Sequence, residues 1–212
     1  MKETTKKICE ELFERYPVLC EIKSNILNAF EIIKTTYDCD GTLFCAGNGG
    51  SSSDSEHIVG ELLKSFKKHR AIDETTAKNL TEYGDDGAYL LSKLEGSLPA
   101  VSLISQTGIL TAFANDKSWD TAFAQQLYGL GKKGDCLIVL STSGNSKNCV
   151  YASMVAKAKG IKTIAFTGAS GGKLKGICDE CIFVPEMETY KIQELHLPIY
   201  HCLCAMLEEE FF

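Results

Sequence analysis

Two polar loops and two short polar clusters carry the residues of this 212-residue chain whose types and spacing could do chemistry. One loop reads Gly47-Asn48-Gly49-Gly50-Ser51-Ser52-Ser53, the other Ser141-Thr142-Ser143-Gly144-Asn145-Ser146. Three glycines let a backbone approach a ligand closely, and the serine hydroxyls after them can cap the next helix. In the second loop, hydroxyl donors run into a helix whose first N–H groups have no internal acceptor, a combination that suits an anion. Neither loop has the Lys-Ser or Lys-Thr pair of a Walker P-loop, and Ser52 stands where a dinucleotide fingerprint needs its third glycine. With no lysine to hold a polyphosphate, the hydroxyl loop suits a monophosphate ester; its plainer reading is a cap and nothing more.

The clusters suit proton transfer or a metal. His57 and Glu61 are four residues apart, so a helix would place them on one face. A carboxylate and an imidazole so placed can share a metal or act as acid and base; a solvated i,i+4 pair is the bland alternative. Near the C-terminus, Gln193 and His201 stand eight apart, about two helical turns, with Pro198 between them able to bend the path. Those two have a plain reading as well, partly buried polar side chains with satisfied partners. His196 lies off that line and reads as structural or exposed. Cys178-x-x-Cys181 is a weak metal or redox signal, read as structural.

These residues need a frame, and the apolar pattern supplies one. Five short runs (Thr42–Ala46, Ala100–Ile104, Cys136–Leu140, Thr163–Phe166 and Cys181–Val184) are apolar nearly throughout, the pattern of strands buried on both faces of a parallel sheet. Helical segments lie between them near Ser53–Phe66, Gly108–Leu130 and Ser146–Lys159, and an apolar helix near Ile192–Glu210 closes the chain. The alternation predicts an α/β fold, a five-stranded parallel doubly wound sheet. In such a sheet ligands bind beyond the carboxyl ends of the strands, where both polar loops fall. Residues 1–39 precede the sheet as a helical pair jointed at Tyr16-Pro17. Residues 67–97 form a polar insertion, with short helices expected near Thr75–Glu82 and Ala88–Leu94; it is a surface excursion or a lid or subunit contact beside the site. The whole chain, 1–212, reads as one domain.

Composition narrows the class. With 22 basic and 28 acidic residues the formal net charge is −6, and the one dense basic run, Lys64–Arg70, is short, so nucleic acid is disfavoured as a partner. Ten cysteines suggest a disulfide scaffold, but the length and the apolar setting of Cys45, Cys136, Cys202 and Cys204 point to reduced core thiols. No apolar run reaches membrane-spanning length and no leader pattern opens the chain. A soluble, cytoplasmic protein is the expectation.

Gly47-Asn48-Gly49-Gly50-Ser51, His57-x-x-x-Glu61, Asn115-Asp116, Ser141 through Ser146 and Gln193…His201 form an ordered set. Together they resemble the phosphoheptose isomerase branch of the sugar isomerase (SIS) domain family, from about residue 40 to the end. The resemblance implies a flavodoxin-like SIS fold and an aldose–ketose isomerisation, sedoheptulose 7-phosphate to D-glycero-D-manno-heptose 7-phosphate. It implies that Asn48, Gly49, Gly50, Asn115 and Asp116 contact the sugar, with Glu61 and Gln193 also on the substrate, and that Ser141, Thr142, Ser143 and Ser146 hold the phosphate. It makes Glu61 and His201 the acid/base pair that moves a proton between C1 and C2. It further implies a zinc ion on His57, Glu61, Gln193 and His201, and a homotetramer with sites between subunits. Ser65 and Tyr190 stand where similar enzymes often have Arg and Asp, which with the insertion leaves open another phosphosugar as substrate. A non-catalytic SIS module that binds a sugar phosphate or a protein is the reading from another class, set against the retained His57, Glu61, Gln193 and His201.

Overall fold

All five apolar runs are strands. In the computed structural model, which describes residues 1–212, they are β1 (Leu43–Gly47), β2 (Ala100–Ser102), β3 (Cys136–Leu140), β4 (Lys162–Thr167) and β5 (Glu180–Phe183). They pair in parallel in the order β2-β1-β3-β4-β5. Every residue of β1 and β3 is buried, so both faces of these central strands need apolar side chains. Alternate residues divide between two cores. Leu43, Cys45, Cys136, Ile138 and Leu140 face α1 (Glu3–Arg15), α2 (Lys23–Asp38), α3 (Gly50–Leu63) and α9 (Thr189–Phe211). Phe44, Ala46, Leu137 and Val139 face α6 (Thr107–Asp116), α7 (Ala122–Leu130) and α8 (Lys147–Lys159). The chain order reverses between β1 and β3, and that switch point opens the crevice flanked by the two polar loops.

Several boundaries differ from the sequence pattern, among them the second insertion helix, expected at Ala88–Leu94 and found at Gly84–Leu91, and the end of α3, expected at Phe66 and found at Leu63. The expected helix Gly108–Leu130 is two helices, because the Ser118 hydroxyl accepts from the Asp120 amide and starts a 3-10 turn, Trp119–Thr121, between α6 and α7. Helix α3 starts at Gly50, not Ser53, since its first turn is polar and leaves no trace in apolar periodicity. Pro17 does end α1, but a 3-10 stretch, Pro17–Ile22, intervenes before α2. Pro198, by contrast, sits inside α9 without ending it. The insertion carries α4 (Glu74–Leu80) and α5 (Gly84–Leu91), of which only Gly87 is buried. All ten cysteines are free thiols, seven of them buried, and no helix is long and apolar enough to cross a membrane.

The basic run Lys64–Arg70 ends in the interior. Arg70 is fully buried and its guanidinium binds Glu208 Oε1 at 2.8 Å and the carbonyls of Glu61 and Leu62 at 2.8 and 2.7 Å. Glu208 also accepts from the Phe66 and Lys67 amides, each at 2.8 Å. Burial opposes its charge, yet these hydrogen bonds and the guanidinium hold its pKa below the usual carboxylate range. The pair thus closes the C-terminus of α3, whose last carbonyls have no donors within the helix, and fixes it to the last turns of α9.

His196 is likewise interior. It packs edge-on to Phe166 at 5.4 Å, with Nε2 3.4 Å from the Thr167 carbonyl and Nδ1 without a partner. Burial pushes its pKa down to about 4 from 6.5. The folded state therefore binds fewer protons than the unfolded chain between these values, so this contribution to stability is complete above pH 6.5 and is lost as pH falls toward 4. The expected loss is about 3 kcal/mol. Denaturant unfolding across that range checks it: His196→Phe flattens the profile, and an equally steep profile in the variant rules the assignment out.

Candidate active site

The first loop is shaped by two glycines. Gly49 adopts φ +56°, a conformation that favours glycine, and so turns β1 into α3. At Gly50 a Cβ would lie 2.9 Å from the Gln193 amide nitrogen and 3.0 Å from its oxygen, so the Gln193 side chain of α9 rests directly on this glycine. From that contact the two helices run on in the same direction. Gln193 lies beside Gly50 and Ser51, Tyr200 beside Asp54 and His57, and His201 beside His57. The groove between α3 and α9 therefore begins at the carboxyl edge of the sheet and continues down its outer face.

Within the groove, three side chains meet. His57 Nε2 lies 3.2 Å from Glu61 Oε1 and 3.4 Å from His201 Nε2. Glu61 is buried and accepts a further bond from Lys64 Nζ at 3.1 Å, whereas His57 is exposed and His201 half-buried. Burial lowers the His201 pKa, the neighbouring His57 lowers it further, and Glu61 partly opposes them. His201 is thus held as the neutral imidazole, the form that accepts a proton or ligates a metal.

A carboxylate oxygen and imidazole nitrogens converging within 3.2–3.4 Å call for a proton or a cation among them. Tetrahedral zinc with bonds of about 2.0–2.1 Å to nitrogen requires ligand atoms roughly 3.3 Å apart. The donor types and the His57–His201 spacing fit such an ion. The fit is partial: the side chains do not close a cage of three or more His, Cys, Asp or Glu donors. The Gln193 amide rests 3.4 Å from the Ser51 hydroxyl, with no contact to the other three.

The hydroxyl loop follows β3. Ser141 Oγ donates to Ser146 Oγ at 3.0 Å and accepts from the Ser146 amide at 3.4 Å, which winds the loop tightly onto α8. Asn145 binds the loop together and ties it to the turn after β4: Ser143 accepts from both its backbone and side-chain amides, at 3.2 and 2.8 Å, and the Asn145 Oδ1 accepts from the Lys173 amide at 3.1 Å. Ser146 places no side-chain cap on α8; the Ser141 and Ser143 hydroxyls instead accept from the Ser146 and Asn145 amides just before the helix. Ser143 is exposed, Thr142 and Ser146 half-buried, and Ser141 buried. A cavity of about 210 Å³ lies against Thr142 and Ser143 on the β4 side.

Other expected site residues fall elsewhere. The Asn48 amide exchanges two hydrogen bonds with Asn148, at 2.9 and 2.8 Å, and so ties the first loop to the first turn of α8. Asn115 and Asp116 close α6, exposed and bonded to each other at 2.9 Å, with no contact to the His57 cluster. Sequence reasoning missed Asn148, Asp54, Lys64 and Tyr200. Asp54 alone had a local signal, standing three residues before His57 on the same face of α3.

The doubly wound 2-1-3-4-5 sheet, with a hydroxyl loop after β3 and an acid–imidazole cluster beside β1, defines an SIS-domain protein, and the SIS domain profile matches residues 95–168. A phosphoheptose isomerase from a Nitratiruptor species is 38% identical over 191 residues, 90% of this chain and 89% of that one. Solved phosphoheptose isomerases from Neisseria gonorrhoeae and Francisella tularensis superpose with TM-scores of 0.72 and 0.74 at 29% and 28% identity. The first covers 97% of this chain and 94% of its own, the second 98% and 94%. The chain belongs to the phosphoheptose isomerase family and is a sugar-phosphate isomerase.

Proposed function

We propose that the chain interconverts sedoheptulose 7-phosphate and D-glycero-D-manno-heptose 7-phosphate, with the phosphate on Ser141, Thr142, Ser143 and Ser146 and the reacting carbons between Glu61 and His201. The observation that carries this is the meeting of Glu61, His57 and His201 between α3 and α9, with the start of α9 lining the same cavity as Thr142 and Ser143 of the hydroxyl loop. Isomerisation removes a proton α to a carbonyl and returns it to the neighbouring carbon. Glu61, buried, takes the proton from C1 and delivers it to C2, while His201, neutral, moves the hydroxyl proton between O1 and O2. Asn48, Gly49 and Gly50 shape the wall beside the sugar, and Asn115 and Asp116 contact it only if α6 from this or another subunit comes to the groove. We assign a zinc ion to His57, Glu61 and His201, with Gln193 as fourth ligand; when bound it polarises the carbonyl and the developing enediolate oxygen. A homotetramer with sites at subunit interfaces would cover the exposed side of the groove.

The test offers purified protein a panel of ketose and aldose phosphates and follows turnover by NMR, with and without a chelator. Turnover of sedoheptulose 7-phosphate above the others supports the substrate, and a chelator effect reversed by zinc supports the metal. Turnover indifferent to chelation removes zinc from the proposal, and turnover of none removes the activity. Ser143→Ala and Ser146→Ala should each raise KM by roughly tenfold or more, the loss of a hydrogen bond to a charged group, with kcat less affected. Unchanged KM in both would move the phosphate elsewhere.

A further inference from the structure

His57 is held from behind by two residues that the acid/base and phosphate assignments leave without a task. Its Nδ1 lies 3.0 Å from the Tyr200 hydroxyl, which donates its own hydrogen to Asp54 Oδ1 at 3.1 Å. Tyr200 is 1% exposed, and its ring stands edge-on to His57 at 5.5 Å and to His201 at 4.9 Å. Asp54 is half-buried one turn before His57 on α3.

Counting hydrogens settles what this chain of contacts does. A phenol has one hydrogen, a carboxylate none and a neutral imidazole one. With the phenol hydrogen on Asp54, the Tyr200 oxygen offers His57 only lone pairs, so the imidazole hydrogen must sit on Nδ1. Nε2 is then bare, and Nε2 is the atom that faces Glu61 at 3.2 Å and His201 at 3.4 Å. The opposite tautomer would serve Glu61 but set two lone pairs against each other across 3.0 Å at Nδ1 or strip Asp54 of its donor. With hydrogen on Nδ1, the lone pairs of Nε2 and Glu61 are reconciled by a cation, or in its absence by a proton carried on Glu61 or His201. A phenol keeps its hydrogen near neutral pH, so the Tyr200 hydroxyl remains a donor to Asp54.

We propose that Asp54 and Tyr200 are positioning residues that lock His57 as the Nδ1–H tautomer and present Nε2 as an electron-pair donor to a cation or to a substrate hydroxyl. A buried acceptor that fixes the tautomer of a functional histidine is worth about 10–100-fold in metal affinity or activity when removed. The proposal rests on the His57–Glu61–His201 cluster being the active centre, but its main readout needs neither substrate nor metal.

The experiment uses the full chain labelled with 15N-histidine, stripped of metal by a chelator, and reads the two ring nitrogens of His57 by NMR near neutral pH, with His57→Gln giving the assignment. Wild type should show hydrogen on Nδ1. Asp54→Ala frees the phenol to donate to Nδ1 and should move the hydrogen to Nε2; Tyr200→Phe should leave a mixture. Both variants should lower kcat by about 10–100-fold with KM unchanged. An Nε2–H tautomer in wild type overturns the proposal. So does an unchanged tautomer in the variants, even with a fall in kcat, because that marks a merely structural role. If Tyr200→Phe fails to fold, Asp54→Ala, which keeps the ring and adds a good helix former, decides alone. A chain with the Nδ1–H tautomer and no isomerase activity would sink the proposed function while leaving this assignment standing.

Discussion

Glu61→Gln should abolish measurable isomerisation, with kcat down by about 10³-fold or more, in a protein that melts where wild type does. The amide keeps the shape of the carboxylate and can still meet His57, but it cannot take a proton from carbon. It also withdraws the only anionic donor from the trio, so a cation is held less firmly. Lys64, whose ammonium bonds Glu61 at 3.1 Å, is exposed and can turn to water without cost to the fold. His201→Ala should fall to a similar level by a different route, since it removes the neutral imidazole and one of two nitrogens facing the same point. Steady-state rates and thermal unfolding on the same samples are the measurement. Wild-type turnover in either variant would mean that protons move through other residues.

The second large effect is on stability. Glu208→Ala should destabilise the chain by about 3–5 kcal/mol, because it leaves the Arg70 guanidinium buried without its counter-charge. The same substitution deprives the Phe66 and Lys67 amides of their acceptor. Replacing both partners, as in Arg70→Met with Glu208→Leu, should recover part of that loss, since an apolar pair avoids the desolvation cost of two ions. Arg70 has a second duty, however, at the Glu61 and Leu62 carbonyls, so the double variant should not reach wild type. Urea titrations of the single and double variants decide it. A loss under about 1 kcal/mol for Glu208→Ala, the range of an exposed ion pair, would contradict the burial of this pair.

The central sheet was legible because strands buried on both faces need unbroken apolar runs, which is how Leu43–Gly47 and Cys136–Leu140 read. Boundaries set by single polar atoms were not legible: the Ser118 cap divides a helix that apolar spacing alone continues. His57 and Glu61 could be paired from sequence because one helix places them four apart. That His201 joins them depends on α3 and α9 running in the same direction, which no local spacing records. Arg70 read only as one member of a short basic run because its carboxylate stands 138 positions away. Tyr200 sat in plain view beside His201, but its meaning comes from the Asp54 and His57 side chains across the groove.

The reciprocal bond between the Asn48 and Asn148 amides also bears on how the crevice moves. The loop leaving β1 is tied to the first turn of α8, just past the loop that leaves the neighbouring strand β3, so the spacing across the switch point is set by two side-chain hydrogen bonds. A sugar phosphate arriving there meets walls already at their final spacing and gives up little of the chain's freedom on binding.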